Sequence, residues 1–143
     1  MTPDEIARAS AEAMLAADRA TRGLGIELVA VAPGSATMAM TVRADMTNGH
    51  DICHGGFLFT LADSAFAFAC NSYGQRVVAS HAAISFLAPA HTGDRLTATA
   101  REVYREGRSG LYDIRVTRDD GTVIAEFRGQ SRTIPGSHIP EAP

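Results

Sequence analysis

Gly56-Phe57-Leu58-Phe59-Thr60-Leu61-Ala62-Asp63-Ser64-Ala65-Phe66-Ala67-Phe68-Ala69-Cys70-Asn71-Ser72-Tyr73 is the stretch on which the fold turns. Phe57, Leu58, Phe59, Leu61, Ala62, Ala65, Phe66, Phe68 and Ala69 point in every direction around a helix, and a helix apolar on all sides is buried. Gly74 stands where such a helix would stop. Thr60, Asp63, Ser64 and Asn71 interrupt the apolar run. Asp63 is the costly one, because an unpaired carboxylate in an apolar interior costs several kcal/mol or has its pKa driven upward. One explanation is that Asp63 caps a helix beginning at Ser64, or points to solvent. The apolar pattern starts well before Asp63, and that favours a carboxylate carried within the helix for use.

Upstream, Thr2-Pro3-Asp4-Glu5 is a helix start: Thr2 as cap, Pro3 at the first helical position, Glu5 completing a capping box. Ile6, Ala13, Met14 and Ala17 recur at helical spacing, and Gly23 is a plausible stop, so an amphipathic helix is predicted over residues 3–21. Residues 26–32 read as a strand and Pro33-Gly34 as a turn. Ala36, Met38, Met40 and Val42 then alternate with Thr37 and Thr41 as a second strand. Residues 43–53 are polar and irregular and read as a loop. Downstream, strands are predicted over 77–87, 96–105, 111–118 and 122–133. Pro89 and Gly93-Asp94 separate the first two, and Asp120-Gly121 turns a hairpin between the last two. The tail from Pro135 holds three prolines in nine residues and reads as loose. There is no internal repeat and no linker, so residues 1–143 form one domain. The order is helix, two strands, buried helix, four strands. A long apolar helix must be covered. A curved antiparallel β-sheet wrapped around it does so economically, which is an α+β hotdog fold with an added N-terminal helix.

Composition removes several classes of function. The chain has 143 residues, 45% of them hydrophobic, which suits one core. Its apolar runs are too short to cross a bilayer. Residues 1–20 carry Asp4, Glu5, Glu12 and Asp18 and lack the basic start and apolar centre of a signal peptide. A cytoplasmic protein with no membrane partner is expected. A net charge of −3 argues against nucleic acid. All thirteen basic residues are arginine, which reads as compositional bias, although the planar guanidinium suits phosphates locally. Cys53 and Cys70 make no disulfide framework. His50, Cys53 and His54 lie close together, but no second pair of ligands is evident, so no metal is expected.

The chemistry gathers just ahead of the apolar helix. Gly55-Gly56 falls where that helix begins, and the first amides of a helix lack intrahelical partners and carry partial positive charge. Glycine lets a carbonyl come close to the backbone. An amide there would stabilise the negative charge that a thioester oxygen gains when its carbon is attacked. A glycine pair alone is equally a tight turn, a loop histidine such as His54 is more often structural, and a loop asparagine such as Asn48 usually makes a turn.

Taken together, Asn48-Gly49-His50-Asp51-Ile52-Cys53-His54-Gly55-Gly56 followed by Leu61-Ala62-Asp63 closely resembles the PaaI-type hotdog thioesterases of phenylacetic acid degradation. Ser85-Phe86-Leu87-Ala88-Pro89, Gly93-Asp94-Arg95-Leu96 and Phe127-Arg128-Gly129 resemble that family as well, and the resemblance covers about residues 44–133. It implies that Asp63 is the catalytic carboxylate, as general base or as nucleophile. It implies that the Gly55 amide polarises the carbonyl, that Asn48 orients the water or the carboxylate, and that His54 supports. It further implies a homo-oligomer, a dimer in which Asp63 faces the other subunit's Gly55 loop, and by family habit a dimer of dimers, a homotetramer. Related enzymes place a serine or threonine near the carboxylate, for which Ser64, Ser80 and Ser85 are candidates. Gly56 is expected beside the substrate.

Arg105, Arg108 and Ser109 are candidates to meet the coenzyme A phosphates, with an ordinary charged hairpin end as the alternative. The resemblance implies hydrolysis of an aryl-acetyl-CoA such as phenylacetyl-CoA or hydroxyphenylacetyl-CoA. The residues alone reach only to an apolar acyl group, for which Phe57, Phe59, Phe66 and Phe68 are possible walls. No cofactor is expected, since coenzyme A is part of the substrate. Two other readings stand beside this one: a hotdog dehydratase or hydratase using His54 with Asp63, and a non-catalytic acyl-CoA-binding module.

Overall fold

The computed structural model describes residues 1–140. Its elements are α1 (Pro3–Ala17), α2 (Arg19–Gly23), β1 (Glu27–Ala32), β2 (Ser35–Thr41), a 3-10 turn (Ala44–Met46), α3 (Gly55–Cys70), β3 (Gln75–Phe86), β4 (Arg95–Glu106), β5 (Ser109–Arg118) and β6 (Val123–Ser137). The strands form one antiparallel sheet in the order β1-β2-β4-β5-β6-β3, with α3 against its inner face. This is the expected hotdog arrangement. Among the described residues, no helix is long and apolar enough to cross a membrane.

The N-terminal helix is capped as its sequence predicts, the Glu5 amide donating to the Thr2 hydroxyl at 3.2 Å. It does not run unbroken over 3–21. Asp18 leaves the helical region and caps a second helix, accepting from the Thr21 amide at 2.9 Å and the Thr21 hydroxyl at 2.6 Å. Aspartate competes well for such unpaired amides, and it does so here because the kink carries buried Thr21 onto Ser64 of α3.

The helix α3 is buried over most of its surface. Ala36, Ala100, Ile114, Phe127 and Ile84 form one in-register row across five strands beneath it. Phe66 packs on Tyr112 and Phe127, with ring centroids 5.7 and 5.9 Å away. Gly129 lies under the same ring, and a Cβ there would fall 2.7 Å from it. Each fully buried side chain of this size contributes roughly 1.5–3 kcal/mol. The helix stops at Cys70, ahead of Gly74. Asn71 turns the chain instead, its amide donating to Ala67 O and Val77 O while its carbonyl oxygen accepts from Val77 N.

The opposite faces of β4, β5 and β6 carry charge. Asp113 pairs with Arg101 and Arg128, and Arg115 with Glu126. The tail is held further than its prolines suggest. β6 runs through Pro135 to pair Ser137 with Gln75, and His138 donates its amide to Gly74 O and bonds Asn71 through its ring. Beyond Arg132 β6 has no β5 partner, and Pro135 falls where its register with β3 shifts between Gln75 and Val77, an irregular place that tolerates proline, so the expectation of a loose segment fails as far as 138. Residues 141–143, also within that expectation, lie outside the described residues. β3 is itself a sheet edge along its twelve residues, and Val78 on it is exposed.

Candidate active site

The loop between β2 and α3 is folded by Asn48. Its side-chain oxygen accepts from the His50 amide at 2.9 Å and the Ile52 amide at 3.4 Å, while its own amide donates to Ile52 O. Asp51 takes a positive φ of 62° in the turn this creates. The loop is anchored at both sides, Cys53 N donating to Ala90 O at 2.7 Å and His54 N to Met46 O at 2.8 Å. Asn48 therefore makes the turn a loop asparagine is expected to make, and it keeps its side-chain NH2 free of partners among the described residues.

His54 is the N-cap of α3. Its Nδ1 accepts from the Gly56 amide at 2.9 Å, so the neutral ring carries its proton on Nε2. The Phe57 amide donates to His54 O. Of the first three amides of α3, Gly56 and Phe57 are thus satisfied, and Gly55 alone has no acceptor among the described residues. The partial positive charge of the helix start is concentrated at that one N–H. Gly56, expected next to the substrate, spends its amide on His54.

Gly55 opens on an apolar cavity of about 520 Å3. Asn48, Ile52, Cys53, Gly55 and Leu58 form one wall and the segment from Phe86 to Ala90 forms the other. Burial pushes the Cys53 thiol up to about 11, so it meets the cavity as an uncharged thiol.

Asp63 lies two turns further along α3 and does not line this cavity. It is half-buried, and desolvation raises its pKa above the ordinary 3.8. It has no hydrogen-bond or ion-pair partner among the described residues. Thr60, one turn away, turns its hydroxyl back to Gly56 O instead. Gly55 and Asp63 are eight residues apart on one helix. At 1.5 Å per residue their separation along the axis is roughly 12 Å, too far for both to contact one carbonyl group.

The remaining candidates are dispersed. Ser64 is committed to its own chain: the Thr21 hydroxyl gives its only proton to Asp18, so in the 3.0 Å contact between Ser64 and Thr21 the donor is Ser64. Ser80 sits at a bulge in β3 and donates to Gln130 O at 3.1 Å. Ser85 lies with Asp113, Glu126 and Arg128 on the charged outer face. Arg105, Arg108 and Ser109 gather with Cys70 and Tyr73, at the far end of α3 from Gly55. The Arg105 guanidinium stacks 3.7 Å over Tyr73 and pairs with Glu102 at 3.2 Å, while Arg108 makes one long bond to Thr133 O. One chain therefore brings Asn48, His54, Gly55 and Gly56 together and leaves Asp63 and the arginines elsewhere. Sequence reasoning assigned no role to the Phe86–Ala90 wall. The signal available was an exposed-looking Phe86-Leu87 pair just ahead of Pro89.

Comparison with known proteins gives consistent matches. A model of the thioesterase superfamily matches residues 50–125. The acyl-coenzyme A thioesterase PaaI of Escherichia coli is 46% identical over 133 residues, 93% of this chain and 95% of that protein. Acyl-coenzyme A thioesterase 13 of Homo sapiens is 35% identical over 101 residues, 68% of this chain and 71% of that one. The solved structure of the E. coli PaaI protein from the phenylacetic acid degradation operon superposes with a TM-score of 0.94 at 44% identity, covering 95% of this chain and 99% of that chain. A mutant of the phenylacetic acid degradation protein PaaI from Thermus thermophilus superposes with a TM-score of 0.79 at 38% identity, covering 82% and 100%.

Proposed function

The chain belongs to the thioesterase superfamily, and from that premise we propose that it hydrolyses acyl-coenzyme A thioesters to a free acid and coenzyme A, with phenylacetyl or hydroxyphenylacetyl as the acyl group. The observation that carries the reading is the Gly55 amide, which has no acceptor among the described residues, at a helix start that opens on an apolar cavity. The thioester oxygen accepts from this amide, which strengthens its hold as negative charge develops there. The apolar walls take the acyl group. The free NH2 of Asn48 orients the attacking water or the carboxylate, and His54 supports by capping the helix and so leaving the Gly55 amide unclaimed.

Asp63 supplies the carboxylate. As base, it takes a proton from water as the water oxygen bonds to the carbonyl carbon. The C–S bond then breaks, and the departing thiolate takes up a proton. As nucleophile, its oxygen bonds to the carbonyl carbon and the C–S bond breaks to expel the thiolate, which takes up a proton; water then cleaves the mixed anhydride to release the acid and restore the carboxylate. Its lack of partners and its desolvation leave it more basic than a free aspartate, which suits either role. The roughly 12 Å separation along the helix supports Asp63 serving a Gly55 on another copy of the chain. The unpaired twelve-residue edge of β3 supports a dimer formed by pairing two such edges. A dimer of dimers completes the proposal. Arg108, less engaged than Arg105, is the better placed of the two to meet a coenzyme A phosphate. Coenzyme A thioesters are made and consumed inside cells, which fits a cytoplasmic enzyme.

The test is release of free thiol from phenylacetyl-, hydroxyphenylacetyl- and straight-chain acyl-CoA, with light scattering to give the mass as a multiple of 15.1 kDa. Asp63→Ala should keep the oligomer and lose turnover. A monomer with full activity would sink the shared-site mechanism, and consumption of an unsaturated acyl-CoA with no thiol release would favour a hydratase.

A further inference from the structure

We propose that Phe86 is the gate and selectivity wall of the acyl site, its ring closing over Gly55 and setting which acyl groups reach the Gly55 amide. The inference rests on the thioesterase reading and adds a residue to it. Gly55 is not among the positive-φ glycines of the chain, so its backbone does not require glycine. What a side chain at this position would displace is the ring. A Cβ on residue 55 would fall 2.8 Å from Cζ, 3.0 Å from Cε1 and 3.3 Å from Cε2 of Phe86. The aromatic ring occupies the place a side chain would take at the start of α3.

Phe86 is nevertheless 55% exposed, and Leu87 beside it 58%. A large aromatic that rests on a glycine with one face and is uncovered by its own chain on the other has room to turn within that chain. It is the last residue of β3, where pairing with β6 ends at Ala125. The backbone beyond it is held, since Leu87 N and Ala88 N both donate to Ile124 O. The motion available is therefore rotation of the side chain and not displacement of the strand. The ring also lines the 520 Å3 cavity, whose inner parts are the buried Cys53, Leu58 and Ala90. A carbonyl oxygen must come within about 3 Å of the Gly55 amide to accept its proton. A ring seated on the Cβ side of Gly55 flanks that approach, and turned aside it offers its face or edge to the acyl group. An aryl group gains from that contact in a way that a flexible alkyl chain does not.

The experiment compares the full-length protein with Phe86→Ala, Phe86→Leu, Gly55→Ala and the Gly55→Ala/Phe86→Ala double variant on phenylacetyl-CoA and decanoyl-CoA. The expected result is that Phe86→Ala lowers the kcat/KM ratio of phenylacetyl to decanoyl substrate about tenfold, with Phe86→Leu between it and the wild type. Gly55→Ala, whose methyl collides with the ring, should lose about a hundredfold, and removing the ring should restore about tenfold of that loss. Calorimetric binding of the non-hydrolysable phenylethyl and decyl thioethers of coenzyme A gives a second readout. An unchanged substrate ratio in Phe86→Ala together with no rescue of Gly55→Ala overturns the proposal. If the wild type hydrolyses no acyl-CoA, the thioesterase reading falls, and the gate is then judged on thioether binding. A lost aryl preference in Phe86→Ala supports it, and an unchanged preference overturns it.

Discussion

Asp63→Asn should make the protein more stable and nearly inactive at once. The substitution keeps the shape of the side chain and removes its charge. Within the chain Asp63 makes no hydrogen bond or ion pair among the described residues, so nothing native is broken, and the usual penalty of about 1–3 kcal/mol for orphaning a buried partner does not arise. What is removed is an unpaired, desolvated carboxylate whose pKa is raised in the folded protein. A carboxyl group with a raised folded pKa stabilises the fold fully below its unfolded value, near 3.8, and that contribution is lost as pH rises through the folded pKa. The variant's advantage in melting temperature should therefore be close to nil below pH 4, grow as the pH rises through the folded pKa, and then level off. Catalysis moves the other way. A positioned general base is worth about 10²–10⁴ in rate, or roughly 3–5 kcal/mol of barrier, and the amide cannot accept the proton. Melting curves from pH 3.5 to 8 alongside thiol release at pH 7.5 would measure both. A variant less stable than wild type at neutral pH, or one within tenfold of its rate, would refute the reasoning.

Three further outcomes follow from the same geometry. Thr21→Val should leave Ser64 without its acceptor and Asp18 without its hydroxyl donor though still bonded to the residue 21 amide, costing about 2–3 kcal/mol, whereas Thr21→Val with Ser64→Ala should recover about half of that; equal melting temperatures for single and double variants would argue against the Asp18–Thr21–Ser64 relay. His54→Ala removes the cap of α3 and should cost about 1 kcal/mol in chemical denaturation, with kcat reduced far less than by Asp63→Asn; a loss as deep as that variant's would make His54 the proton carrier. Burial holds the Cys53 and Cys70 thiols at about 11 and about 12, so at pH 8 iodoacetamide should label both slowly in the folded protein and quickly in guanidinium, and fast native labelling of Cys53 would contradict the closed cavity floor.

Much of the fold is legible residue by residue. The all-round apolar pattern of 56–73 announces a buried helix, alternation announces the strands, and Thr2-Pro3 announces the first helix. The Asn48, His54-Gly55-Gly56 and Asp63 pattern marks where chemistry gathers, because helix starts, caps and an unpaired charge on an apolar helix are properties of short stretches of chain. Less legible was where each element ends. Asp18 breaks the first helix by reaching, through Thr21, a partner on α3, and β6 passes through Pro135 because its β5 partner has ended and its register with β3 shifts there.

By itself, then, the sequence determined the central helix, the wrapping sheet and the identity of the residues around the helix start. Tertiary structure alone decided that Phe86 lies on Gly55 across thirty-one positions of chain, that the Gly55 amide has no acceptor among the described residues, and that Asp63 is half-buried. The division has a physical cause. Helix and strand propensities, caps and turns act over a few residues, whereas the position of a ring over a glycine or the burial of a carboxylate depends on contacts between segments far apart in the chain.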